Sequence, residues 1–385
     1  MSEEKSPRLR VGFLTTELGV GGAEKVVFEL ARRLDRERFD VVGVWCLKPA
    51  DGYYAGELSR FGIPFESARI HGPLDVPFRL RRLRNHLAAA RLDLLNAHLF
   101  HASVAGRLAS RAGGVRRLVV THHFREKRWW RHMAERMLQR SPDATTAVSS
   151  GVAEMVSSGL HLPLNSIRVL PNGVDVEDIS RRVSAGRAEG RRRLRVPEGA
   201  RLLGTVGRLI PEKDPITLLE AFSILAREDE SLRLMYVGDG PLHEKVFKRI
   251  GALGLRERAS IVGFLPDVPA ALAAMDAFAL ASRVEGHPLA LLEAMSAGLP
   301  IVTTDIPAVR EILGGREGVL GTCPPGSAES MADELRKVLA DSDLATSRAA
   351  AARALVAENF TIERMVRDYE QLFEDLAAPG AGAAG

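Results

Sequence analysis

At 385 residues the chain is long enough for two domains with separate cores, and its 46% hydrophobic and 26% charged content, with a mean hydropathy of −0.03, is that of a soluble globular protein. No apolar run approaches the ~20 residues of a spanning helix, which excludes an integral membrane protein; the only cysteines, Cys46 and Cys323, are far apart and exclude a disulfide framework or a cysteine-rich zinc site. The formal charge of +4 is modest for this length, but arginines cluster at 79–84, 124–131 and 191–195, which predicts a cationic face for phosphates or anionic lipid; no nucleic-acid partner is expected.

The first ten residues show neither a long hydrophobic segment nor a cleavage pattern, so a cytoplasmic protein is expected. "LRVGFLTT" then reads as a buried strand, followed by "GVGGAEKVV" and a helix with Val26, Val27, Leu30 and Leu34 on its inner face. Gly21 and Gly22 allow close backbone approach at that helix start, where amides and the helix dipole suit a phosphate; a plain tight turn would use the same glycines. It is not a dinucleotide fingerprint, because Glu24 takes the third glycine's place and "FDVVGVWCL" ends without a ribose-binding acid. "LDLLNAH", "RLVVTHH" and "ATTAVSS" continue the alternation of strand and helix, a βαβ pattern around a parallel sheet.

Four histidines, His98, His101, His122 and His123, end two of these strands. Without carboxylate or cysteine spacing they read as polar residues of a cleft, not as metal ligands. "FREKRWWRHMAERM" mixes Arg125, Lys127, Arg128 and Arg131 with Trp129 and Trp130: either an interfacial helix on an anionic membrane or a flap over the acceptor site.

After "RVLPNGVD" an Arg/Gly/Glu-rich stretch, 176–200, reads as a linker, and the alternation restarts with "RLLGTVGRLIPEKDPITLLEAF". Arg208 and Lys213 converge on a loop where Asp214 caps a helix and Pro215 takes its first position, an arrangement suited to a diphosphate. In "LASRVEGHPLALLEAMSAGLP" a strand leads through a Ser-to-His loop into a helix that Gly298 stops. Glu285 then faces the crevice beyond the strand ends, and Glu293 shares the face of Leu289. Asp341 and Asp343 form the only Asp-x-Asp and read as solvated surface; "AAPGAGAAG" at 377–385 reads as a disordered end.

Taken together, "GVGGAE", "THH", "RVLPNGVD", "GRLIPEKD", "VGDGP", "VGF", "EGHPLALLEAMSAGLPIV" and "FTIERMVRDYEQLF" resemble the retaining GT-B glycosyltransferases of the family-four, group 1 type along nearly the whole chain. The resemblance implies an α/β GT-B fold of two Rossmann-like domains facing across a cleft: 1–175, the linker, 201–358, and a helix at 359–377 crossing back, with 378–385 as a tail. It implies transfer of a hexosyl or N-acetylhexosaminyl unit from a nucleotide diphosphate sugar to a sugar or lipid-linked hydroxyl, with no cofactor beyond that donor; the reading of the histidines and of Asp341 and Asp343 makes a metal-independent enzyme the expectation, and the basic tryptophan segment, if interfacial, would place it peripherally on the inner membrane face. Arg208 and Lys213 would hold the diphosphate and Glu293 the ribose; Glu285, Gly286, His287, Pro288 and Leu289 would address the sugar. Gly21, Gly22, Gly263 and Phe264 would complete the donor site, His123 would contact the donor sugar, and His98, His101 and His122 would lie on the acceptor side. An epimerase of the same fold and a non-catalytic binding subunit are the alternative readings. "EKD" in place of the usual "EKG", and His287 in place of an aromatic or glycine, leave the sugar open.

Overall fold

The computed structural model describes residues 8–70, 76–124, 129–138 and 142–378. Its contacts divide the chain into two units, Met1–Asn172 with Arg364–Gly385, and Gly173–Glu363.

The N-terminal unit is built on seven parallel strands: β1 (Leu9–Thr15), β2 (Phe39–Cys46), β3 (Phe65–Ser67), β4 (Leu94–His98), β5 (Arg117–His122), β6 (Ala144–Ala147) and β7 (Ile167–Val169). Their order is β3-β2-β1-β4-β5-β6-β7, with Val11 opposite both Val41 and Leu94. Helices cover both faces, so central strands are apolar without alternation: Val11, Phe13 and Leu14 of β1 are all fully buried. The helix Gly22–Arg33 contributes Val26, Val27 and Leu30 to that core.

The C-terminal unit has six parallel strands, β8 (Arg201–Val206), β9 (Leu232–Val237), β10 (Ala259–Ile261), β11 (Ala277–Leu280), β12 (Ile301–Thr304) and β13 (Gly321–Cys323), in the order β10-β9-β8-β11-β12-β13. Leu219, Phe222 and Tyr236 anchor one of its cores. The Tyr236 hydroxyl is not orphaned there, since it donates to the Pro215 carbonyl at 2.8 Å.

Residues 176–200 are not a linker. Most of them form the helix Val176–Arg193, which lies within the C-terminal unit against the helix Val268–Ala274. Its apolar period is weak because arginines replace aliphatic contacts: Arg187 donates to the Ala273 and Met275 carbonyls at 3.4 and 3.0 Å, and Arg191 to Ala274 at 3.2 Å. Both also pair with Asp276, at 2.5 and 3.2 Å. Cations thereby satisfy the open carbonyls at the end of the shorter helix. Part of the 191–195 arginine cluster is therefore spent inside the unit, not on a cationic face. Asp341 and Asp343 are exposed, as expected, and Asp341 also caps the helix Ser342–Asn359 by accepting from the Asp343 and Leu344 amides at 3.0 and 2.9 Å. The expected tail reaches beyond the described residues, which end at Ala378.

From Arg364 onward the last helix, Ile362–Ala377, belongs to the N-terminal unit. Phe373 is fully buried, with ring centroids 6.5 Å from Phe13 and 6.3 Å from Phe39. Glu370, 5% exposed, accepts the Asp35 amide at 2.8 Å and pairs with Arg38. Arg168 meets Asp375 at 2.7 Å and Arg117 donates to the Leu376 carbonyl at 3.0 Å. Apolar burial outweighs the half-exposed Arg168–Asp375 pair, worth at most ~1 kcal/mol. Phe373→Ala is accordingly expected to cost about 3–5 kcal/mol in urea unfolding, against under ~1 kcal/mol for Asp375→Ala.

Candidate active site

Each sheet reverses its direction of winding once, between β1 and β4 in the first and between β8 and β11 in the second. Loops leaving two such neighbours diverge, which opens a crevice beyond their carboxyl ends. The loops after β8 and β11 carry Arg208, Lys213 and Glu285, and those after β1, β4 and β5 carry Gly21, Leu99 and His123.

In the C-terminal unit, Lys213 Nζ meets Glu285 Oε1 at 2.5 Å, and the Ser282 hydroxyl donates to the same oxygen at 2.6 Å. The two side chains are 24% and 10% exposed, so water screens the pair only partly. Asp214 sits in the left-handed region at φ 43°, a costly place for this residue, and its carboxylate is over-determined. It accepts from the Thr217 amide and hydroxyl at 3.4 and 2.7 Å and from Arg283 Nε at 2.6 Å. Arg283 also donates its amide to the Glu212 carbonyl at 2.7 Å, so the two loops are stitched by side chain and backbone alike. Exposed Arg208 lies on the first loop.

Gly238 explains part of the "VGDGP" pattern. At φ 138° its amide donates to the Gly263 carbonyl at 2.8 Å, and a side chain there would strike the Gly207 carbonyl, immediately before Arg208. Beyond Glu285, Gly286 and Pro288 are buried, and Leu289 opens the helix Leu289–Ser296 with Pro288 as its cap residue. Glu293 is 5% exposed on that helix. His287, also 5% exposed, packs its ring 5.1 Å from Phe360. Phe264 follows the positive-φ Gly263 and is 40% exposed.

In the N-terminal unit, Gly21 caps the helix Gly22–Arg33, and the buried carboxylate of Glu24 folds back against Gly21. A carboxylate thus already sits at that positive helix end. His98 Nδ1 and His123 Nε2 are 2.7 Å apart. His98 is wholly buried, which takes it out of direct contact with an acceptor; its ring stacks on Tyr369 from the last helix at 6.4 Å. His101 is exposed and packs edge-on against Phe100. His122 and His123 line a small, open hollow with Leu99, Phe100, Phe124 and Glu135 among its walls. Glu135, 4% exposed, accepts the Ser103 hydroxyl at 2.7 Å, and Arg107 Nε donates to Ser103 at 3.1 Å. Among the described residues no group of three or more His, Cys, Asp or Glu is placed to hold a metal ion.

Two family models match the chain in succession, Glycosyltransferase Family 4 over residues 20–178 and Glycosyl transferases group 1 over residues 186–355. A Mycobacterium tuberculosis protein described as a GDP-mannose-dependent alpha-(1-6)-phosphatidylinositol monomannoside mannosyltransferase is 31% identical over 297 residues, 73% of this chain and 74% of that one. The chain belongs to the group 1 glycosyltransferases. An Escherichia coli UDP-Gal:alpha-D-GlcNAc-diphosphoundecaprenol alpha-1,3-galactosyltransferase is 27% identical to this glycosyltransferase over 74% of the chain and 77% of its own length. The structure of Anabaena Alr3699/HepE in complex with UDP and glucose superposes with a TM-score of 0.82 at 22% identity, covering 96% of this chain and all of that one. The α/β fold of this glycosyltransferase is thus of the GT-B type.

Several functional candidates escape motif reading in this glycosyltransferase. Ser282 and Arg283 act on Glu285 and Asp214, and only "SRVEG" hints at them. Glu135, Ser103 and Arg107 come from separate elements, so no sequence pattern announces their cluster.

Burial pushes the imidazole of His287 down to about 3, and burial together with neighbouring His122 does the same to His123. An unfolded histidine titrates near ~6.5, so between these values the unfolded chain binds protons the native state refuses. Stability contributed by these neutral rings is present above ~6.5 and falls as pH drops toward ~3. Urea unfolding at pH 5 instead of 7 is expected to show a loss of about 2 kcal/mol for each such ring, and His287→Gln to recover its share. Equal stability at both pH values would mean that the native rings accept the proton.

Proposed function

We propose that this glycosyltransferase moves a hexosyl or N-acetylhexosaminyl unit from a nucleotide diphosphate sugar to a hydroxyl, with retention at the anomeric carbon. The observation that carries the reading is the meeting of Lys213 and Glu285 at the β8–β11 reversal, one turn of chain before the helix that bears Glu293. A diphosphate brings more negative charge than the single carboxylate now facing Lys213, and in a partly buried site that excess favours exchange of partners. Arg208 and Lys213 would then hold the diphosphate, and released Glu285 would accept hydrogen bonds from the sugar. Glu293 would accept from the ribose hydroxyls.

In the reaction the bond between anomeric carbon and phosphate oxygen breaks, and a bond to the acceptor oxygen forms on the same face. The acceptor proton passes to the leaving phosphate. Positive charge develops on the sugar while negative charge builds on the diphosphate, so fixed cations at Arg208 and Lys213 stabilise the transition state more than the ground state. A UDP-linked sugar is the first expectation for the donor, with GDP-mannose next. A panel of such nucleotide sugars, screened by thermal shift, should reveal one that raises the melting point. By calorimetry, Arg208→Ala and Lys213→Ala should each weaken that donor by roughly 10- to 100-fold, the worth of a charged hydrogen bond. Unchanged affinity in both variants would remove the diphosphate assignment.

A lipid-linked sugar acceptor is supported by the helix Trp129–Met137. Glu135 faces inward, while Trp129, Met133 and Met137, spaced by four, are 71%, 50% and 82% exposed. Arg131 packs its guanidinium 4.8 Å over Phe100 beside this stripe, and no helix among the described residues is long and apolar enough to cross a membrane. Apolar side chains flanked by arginine suit the surface of an anionic bilayer. Vesicles containing phosphatidylglycerol should sediment the protein at low salt, and Trp129→Glu with Met133→Glu should abolish this. Failure of the unaltered protein to sediment would end the membrane reading.

A further inference from the structure

We propose that His98 is a positioning residue that locks His123 in its Nδ1–H form, so that His123 offers a sugar hydroxyl a neutral hydrogen-bond donor and no base. The inference rests on the glycosyl-transfer reading only for the identity of the oxygen; the proton placement stands on geometry.

Two neutral imidazoles carry two protons on four nitrogens, and the 2.7 Å contact between His98 Nδ1 and His123 Nε2 must contain one of them. If His123 donates, the His98 proton moves to Nε2. That atom is buried and has no hydrogen-bond partner, so an N–H would be stranded there. The Tyr369 ring does not receive it either, since it lies stacked at 26° to the imidazole plane and an in-plane N–H runs alongside it. If His98 donates instead, only a lone pair is left at Nε2, the less costly orphan of the two. His123 Nε2 is then an occupied acceptor, and its proton must sit on Nδ1. Protonating either ring is opposed by burial.

The surroundings hold the pair in place. His98 closes β4, and the next residue, Leu99, is forced to φ 73°, a strained value for a leucine at the start of the helix Phe100–Ala109. Phe13 lies 6.3 Å from the His98 ring on the side of β1. With Nε2 engaged, His123 has no lone pair with which to deprotonate an acceptor, so in this enzyme the acceptor proton must go elsewhere.

The test reads the proton directly. Full-length protein labelled with ¹⁵N-histidine, without any substrate, should show the His123 resonances (assigned with His123→Ala) as Nδ1–H in a long-range ¹H–¹⁵N spectrum at pH 7. His98→Leu should yield a mixture of tautomers and lower kcat about tenfold at nearly unchanged donor KM, as loss of an orienting partner does elsewhere. His98→Asn, whose amide can still donate from the Nδ1 position, should keep the tautomer and most of kcat. Native His123 found as Nε2–H overturns the proposal, and so does a folded His98→Leu protein whose His123 stays wholly Nδ1–H. Should His98→Leu fail to fold, the native and His98→Asn spectra decide alone. Absence of transferase activity with the expected tautomer would instead count against the proposed function.

Discussion

Reversal of winding within a parallel sheet is the constraint on which this enzyme depends. Strand β8 sends its chain outward toward β9 and β10, while its neighbour β11 sends its chain toward β12 and β13. Nothing can cover the gap between their ends, because the right-handed crossovers lead away from it on both sides. The same topology at β1 and β4 leaves a second gap, rimmed by Gly21, Leu99 and His123. At these two places the loops leaving neighbouring strands diverge, and the polar side chains of Lys213, Glu285 and His123 are carried there.

The two gaps handle polarity in opposite ways. In the C-terminal unit charges are retained in pairs, Lys213 with Glu285 and Arg283 with Asp214, and each carboxylate accepts further hydrogen bonds from Ser282 or Thr217. A charged guest can enter by exchanging partners, without baring a charge in a dry site. At the paired histidines of the N-terminal unit burial instead removes charge. His98 and His123 share a proton as neutral rings, and Thr146, Thr121 and Asn96 link their side chains beneath them at 2.8 and 2.9 Å.

Local chemistry made much of the C-terminal site legible. Asp214-Pro215 encodes a capped helix start that any chain with those residues favours, and Gly298 at φ 67° ends the helix as its lack of Cβ permits. The helix at 176–193 was not legible, because its packing face uses Arg187 and Arg191 on carbonyl groups, a contact that leaves no apolar period. Glu24 stood in plain sight within "GGAEK", yet whether its carboxylate faces solvent or the helix start depends on a rotamer, which spacing does not determine.

The sequence by itself determined the alternation of strands and helices, the loops that end them and the family, since each follows from short-range preferences and from residues close together in the chain. Tertiary structure alone decided which of four strand-end histidines are buried, and that a helix starting 239 residues after His123 supplies the ring beneath His98. Burial and the proton positions it dictates are properties of the surroundings, and those surroundings come from parts of the chain that no local pattern links.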